Sequence, residues 1–454
     1  MFPDRAPIWM LATASAIVLT VVSVRPLPGS GGGLPFSGRQ NPPQSGAPQD
    51  NCAACHRGLN DGRLSAPVAL FSDDIHRERG FGCAACHGGD ASREGVDAMD
   101  PRRGYIGKPS HERIPQMCAR CHADAELMRR YNPAIRVDQF AEYQTSVHGR
   151  RLAEHHDAKV ATCASCHSPH SIRPTSDPQS RVNPTRVVDT CGGCHADAAY
   201  MAPYAIPTDQ LALYKKSVHW HTLTEVGDLS APTCNDCHGN HGAVPPGIDS
   251  VGNVCGQCHA VQGELFRASR HAAILKDIGT PGCVTCHSNH DVQRATDALL
   301  GVGEGAACAA CHSADDARGR TAMEMRTLIE TLRSEHESAH GLLMRAERSG
   351  IEVSQAQFDL NSAFDALVKA RAAVHSFTIA ALSAPVGEGR AIAARAHARG
   401  VRAHEELQFR RRGLAVSVVI ILTLIAALAL KIRQIERPAG PAAPGPRSGD
   451  RHAH

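Results

Sequence analysis

ATCASCHSPHSI, residues 161–172, sets Cys163 and Cys166 two residues apart, follows them at once with His167, and adds His170 three positions on. Two cysteines spaced in this way sit on one side of a helical turn, where they can form thioethers to the two vinyl groups of one haem. The next residue then projects beneath the iron as its proximal imidazole. The unit recurs until no cysteine of the 18 is left over. The nine copies are Cys52, Cys55 and His56; Cys83, Cys86 and His87; Cys118, Cys121 and His122; Cys163, Cys166 and His167; Cys191, Cys194 and His195; Cys234, Cys237 and His238; Cys255, Cys258 and His259; Cys283, Cys286 and His287; and Cys308, Cys311 and His312. Zinc ribbons and redox dithiols also use CxxC, but neither needs a histidine directly after the second cysteine. At this chain's histidine content nine such followers would arise by chance about once in 10^11. The sequence therefore predicts nine covalently bound c-type haems.

A longer repeat surrounds the units. YQTSVH (143–148), YKKSVH (214–219) and FRASRH (266–271) each put an aromatic residue five positions before a histidine and a serine two before it. Each leads to a CxxCH with a further histidine three places on, at His170, His241 and His290. A second CxxCH follows, its first cysteine 21 to 28 residues after that of the first. FSDDIH (71–76) begins a weaker copy in which Asp90 stands where that further histidine would be. The haem region, residues 52–312, reads as one lone site followed by four two-haem modules. His167 must take the near face of its own haem, and His170 cannot wrap around the macrocycle to the far face. If His170 binds iron, that iron belongs to a neighbouring haem. The candidate distal ligands are His76, His111, His148, His170, His219, His241, His271 and His290. A ninth would come from His155, His156 or His221, or from His336, His340 or His375 farther on. Two imidazoles per iron give a saturated, electron-passing centre, whereas one leaves a site open to small molecules.

The remaining texture bounds the class. Aromatic residues are only 4 % of the chain, so porphyrins rather than side chains should fill the interior. The formal charge of +3 lacks the concentrated basic field of a nucleic-acid binder. The fold expected is mostly helical and irregular, with short helices and loops packed around haems. Residues 1–24 read as a signal or N-terminal anchor and 25–51 as a Pro/Gly/Ser linker. Residues 313–412 carry helix-period stripes (Met325, Leu328, Leu332, His336, Ala339 and Leu343, then Phe364, Leu367 and Val374) and read as a helical stalk. Its second helix should span about 354–375 and its third begin near Pro385. Residues 413–430 are 18 uncharged residues, about 27 Å as a helix, which suits a transmembrane span. Residues 431–454 read as a disordered cytoplasmic tail. Haem attachment takes place outside the cytoplasm, so the haem region should face the periplasm from a bacterial inner membrane.

On these motifs the chain resembles the multihaem c-type cytochromes, in particular the membrane-anchored ones of bacterial respiratory chains with doubled CxxCH modules. The helices before the C-terminal span are similar to those after the haems in ammonia-forming nitrite reductases and hydroxylamine oxidoreductases, although here every motif ends in histidine. The resemblance implies an electron carrier rather than an enzyme. It would work between a membrane quinol-oxidising or b-type cytochrome subunit and periplasmic redox proteins, with no nucleic acid involved. The alternative is a multihaem oxidoreductase acting on nitrogen or sulfur oxyanions at one open haem.

Overall fold

The computed structural model describes residues 50–436, the side chains of Ile248 and Asp249 apart. The expected N-terminal anchor, nearly all of the linker and most of the tail lie outside the described residues. Among the described residues there is no strand: short helices and turns run to His312, and three long helices follow.

Six of the nine CxxCH units fold in one of two ways, and the flanking residues say why. Four of them are single turns standing alone: Cys83–His87, Cys163–His167, Cys234–His238 and Gly282–His287. An extended residue opens each, and in two of them the side chain at the third position holds that residue: Thr162 N–H donates to Ser165 Oγ (3.0 Å) and Thr233 N–H to Asp236 Oδ2 (2.7 Å). Directly after the proximal histidine the chain turns left-handed, at Gly88 (φ 69°), Ser168 (51°), Gly239 (86°) and Ser288 (65°). That reversal stops the helix and turns the following residues away from the CxxCH turn. The other two end longer helices, Arg113–His122 and Pro184–His195, the second started by Asn183 as cap and Pro184 at the first position. Two residues past the proximal histidine of each, Asp124 and Asp197 cap the next helix.

The stalk is three helices: α1 (Ala317–Arg348), α2 (Ser354–Ala373) and α3 (Ile379–Ile435). Asp316 caps α1 and Gly350, at φ 77°, lets the chain reverse after it. Ile329, Leu332, Leu343, Leu360, Leu367 and Leu382 are all at most 2 % exposed. Each contributes about 1.5–3 kcal/mol by leaving water. α3 meets the others through small residues: a Cβ on Gly389 would lie 2.9 Å from both Leu332 methyl carbons, and one on Gly400 2.8 Å from Leu342 Cβ. The stripe read on α2 is rotated by about one position. Leu360, Ala363, Leu367 and Ala370 face the core, while Phe364 is 49 % exposed and leans on His336. α3 also starts earlier than Pro385, because Phe377 and Thr378 end the preceding turn and Pro385 is accommodated inside the helix.

Asp297 ties the haem region to the upper end of this bundle. It accepts both arms of the Arg371 fork (2.8 and 2.8 Å), and Arg333 Nε lies at 3.3 Å. Toward the other end α3 leaves its neighbours and runs on, exposed, through residues 408–435. Its most apolar 18-residue window has a mean hydropathy of 2.8, so the helix is long and apolar enough to cross a membrane.

Candidate functional site

The repeat's serine is a helix cap, and this places the distal histidine. Ser146 Oγ accepts from Gly149 N–H (2.8 Å) and Ser217 Oγ from Trp220 N–H (3.1 Å), so His148 and His219 each become the second residue of a new helix. In the earliest copy Asp74 does the same work. Its Oδ1 accepts from the His76 backbone N–H and meets His76 Nδ1, both at 2.9 Å, and its Oδ2 accepts from Ile172 N–H at 2.7 Å.

Among the described residues, sixteen imidazoles meet in eight pairs, each joining a CxxCH histidine to one from elsewhere. His87 faces His170 at 5.9 Å between ring centroids, His167 faces His241 at 6.3 Å, His238 faces His290 at 6.1 Å and His287 faces His375 at 6.2 Å. In these four the ring planes differ by only 10–23°. His122 faces His76 at 6.0 Å, His195 faces His148 at 6.1 Å, His259 faces His219 at 6.5 Å and His312 faces His271 at 6.3 Å. Here the planes are turned by 88°, 60°, 34° and 69°. The two sets differ in where the partner comes from. The near-parallel set takes it from the CHxxH tail of the next module, or from His375 at the end. The turned set takes it from the capped helix at the start of the same module.

The spacing tests the fit of the expected cofactor. Rings in direct contact would lie about 3.5–4 Å apart. A metal about 2 Å from each nitrogen, with each nitrogen about 1.2 Å from its ring centre, puts the centroids about 6.4 Å apart. The gaps are therefore one metal atom wide. Among the described residues no three His, Cys, Asp or Glu side chains converge as a ligand cluster. Each pair could therefore hold a metal from two sides, which would suit the iron of a haem, whereas zinc would need further protein ligands. Nδ1 is spent elsewhere in several rings, on Gly107 O for His87 (2.9 Å) and on Ala372 O for His375 (2.9 Å). This leaves Nε2 to face the gap and fixes the ring's orientation. Burial pushes the pKa of His148, His195, His219 and His287 below the ordinary imidazole value. It takes His167 to about 4, helped by His241 and His122 alongside. Neutral imidazole is the form that ligates a metal.

Neighbouring units touch through their cysteines, in chain order and in alternation. The first cysteines lie close enough to interact in the pairs Cys118 with Cys163, Cys191 with Cys234, and Cys255 with Cys283. Asp50 bridges the first such junction, accepting from Cys52 N–H (3.1 Å) and Cys83 N–H (3.0 Å). The second cysteines lie close enough to interact in the pairs Cys86 with Cys121, Cys166 with Cys194, Cys237 with Cys258, and Cys286 with Cys311. Haems held at these sulfurs would be carried by neighbouring units along the whole series.

Seven of the eight candidate distal histidines stand against a CxxCH imidazole. His111 does not: its Nε2 lies 2.6 Å from Val160 O. His375 stands opposite His287 instead, although it carries neither the serine cap nor the CHxxH signature. The signal available was positional. Each CHxxH tail serves the unit two before it, so the unit at Cys283 needed a histidine from beyond His312. His336 and His340 also lie 6.3 Å apart, but one helical turn accounts for that spacing. Among the described residues no imidazole faces His56.

Residues 154–260 match the family model described as cytochrome c3. A curated relative, the multiheme cytochrome MtrA of Shewanella baltica (strain OS185), is 28 % identical over 228 residues, which cover 46 % of this chain and 52 % of the relative. The chain thus spans about half the length of the curated relative it matches. No solved structure matches it. The repeated CxxCH units, the paired imidazoles and the two likenesses point the same way: the chain is similar to multihaem c-type cytochromes.

Proposed function

We propose that the chain is a nonahaem electron conduit, held to the bacterial inner membrane by the apolar part of α3 with its haem region in the periplasm. It would pass electrons between a quinol-oxidising or b-type cytochrome partner in the membrane and periplasmic redox proteins. The observation that carries this reading is the unbroken run of close approaches between neighbouring CxxCH units from Cys52 to Cys311, with eight histidine pairs of one-metal width along it. Bound haem supplies the one-electron chemistry. The chain's own residues set its spacing, its ligation and the exclusion of water. His56 would hold the ninth haem from one side, which makes it the place to look for ligand exchange under the oxidoreductase alternative.

Mass spectrometry of the mature protein should show nine attached haems. Electron paramagnetic resonance of the oxidised protein should be dominated by low-spin signals. A chain with few haems, or several high-spin irons that bind cyanide, would overturn the conduit reading.

A further inference from the structure

Three modules are closed in the same way by the module that follows. The residue before the distal histidine donates its backbone N–H to the carbonyl two residues past the next CHxxH position. Ile75 donates to Ile172 (2.9 Å), Val147 to Ala243 (3.1 Å) and Val218 to Val292 (2.8 Å). The same tail brings in the imidazole that faces the CxxCH histidine two units back, as His170 does for His87. The repeat's aromatic residue adds a tie of its own. Tyr143 Oη donates to Ala161 O (2.9 Å) and Tyr214 Oη to Pro232 O (2.8 Å), in each case the carbonyl two residues before a first cysteine.

The last module has no successor, and its aromatic residue is Phe266, which has no hydroxyl to donate. The turn between α2 and α3 stands there instead. His375 faces His287 across a one-metal gap with ring planes 23° apart. Two residues later Phe377 lies flat on His271, at 3.8 Å between centroids and 26° between planes. Phe266 meets Phe377 edge-on at 6.4 Å, and its ring lies where a Cβ on Gly282, the residue before Cys283, would be at 2.7 Å. Phe377 also sits at φ 55°, a left-handed conformation that glycine takes readily and a bulky aromatic does not. A phenylalanine kept where glycine would suit the backbone better points to work done by its ring.

We infer that this turn replaces the missing fifth module, with Phe377 as the positioning residue that fixes the plane of the His271 ring. The inference rests on the reading that His271 and His312 ligate one iron. The 69° between their planes would then be set from the helical bundle and not from the haem region. Ligand-plane orientation splits the iron d orbitals, so the bundle sets the electronic state of the last haem in the series.

The test is made on the full-length holoprotein. Phe377→Gly relieves the backbone and deletes the ring, so a residue that merely makes the turn would lose nothing. We expect an unchanged haem number by mass and the loss or displacement of one of the crossed-plane low-spin signals in electron paramagnetic resonance. Phe377→Tyr should restore that signal. Phe377→Leu keeps apolar bulk without a flat face and should displace it as well, which covers the case in which the glycine variant fails to accumulate. If either variant holds all its haems and every low-spin signal stays in place, the inference is overturned. A wild-type spectrum without bis-histidine signals would instead overturn the underlying ligation.

Discussion

His170→Gly removes one distal ring at the least cost to the backbone. His170 has φ 78°, where a residue with a Cβ carries about 1–2 kcal/mol of strain that glycine does not. That relief offsets part of the packing lost with the half-buried ring, so the fold should hold to within about 1–2 kcal/mol. The ring it removes faces His87 at 5.9 Å, and His87 stays anchored through Gly107 O. One iron in nine, about 11 % of the total, should become high-spin, and it should be the iron carried by Cys83 and Cys86 rather than the one next door on Cys166. Electron paramagnetic resonance of the oxidised protein reads the increment, and added imidazole should reverse it. To assign the iron, the same change is made in a chain carrying Cys83→Ala and Cys86→Ala. There it should add nothing. A full high-spin increment in that background would mean that His170 serves another haem, and the cross-module reasoning would fall.

Three further expectations follow from the geometry. The low-spin signals of the wild type should form two groups, four from near-parallel pairs (10–23°) and a second set, shifted to larger maximal g values, from the pairs turned by 60–88°; a single uniform class would contradict the ring geometry. Asp297→Ala strands the Arg371 fork at the join between haem region and bundle, and should lower stability by about 2 kcal/mol after allowing for the part-exposed arginines, read as a drop in melting temperature. Gly149→Ala would set a Cβ 1.9 Å from the Tyr143 carbonyl oxygen, so the helix carrying His148 must shift; the mature variant should lose its low-spin His148–His195 signal, and an unaltered spectrum would show that the helix start is free to move.

Much of this arrangement was legible in the residues because its chemistry is local. CxxCH binds one haem within a single turn, and the serine of the SVH stretches caps a helix two residues before the histidine. What was not legible depends on which module lies beside which. No local pattern distinguishes His375 from His336 or His340, because its partner His287 is 88 residues upstream and meets it only after α1 and α2 have run out and back. His111 had the opposite fault. It sits in a plausible place before Cys118, yet the chain folds its Nε2 onto Val160 O. The stripe on α2 was misplaced by one position because alanines, Ala363 and Ala370, line the core where the larger Phe364 drew the eye.

The helix α3 is also a ruler. From Ile379, just after the His375 turn, to residue 413, where the uncharged stretch begins, lie 34 residues. At 1.5 Å each this is about 50 Å along the axis. With α3 standing in a bilayer as proposed, the His375 end of the series is lifted well clear of the lipid, out of direct reach of any quinol dissolved in it. On the proposed reading, electrons would have to reach the haems through a partner protein of comparable height standing beside the bundle, and the length of α3 would set the size of that partner.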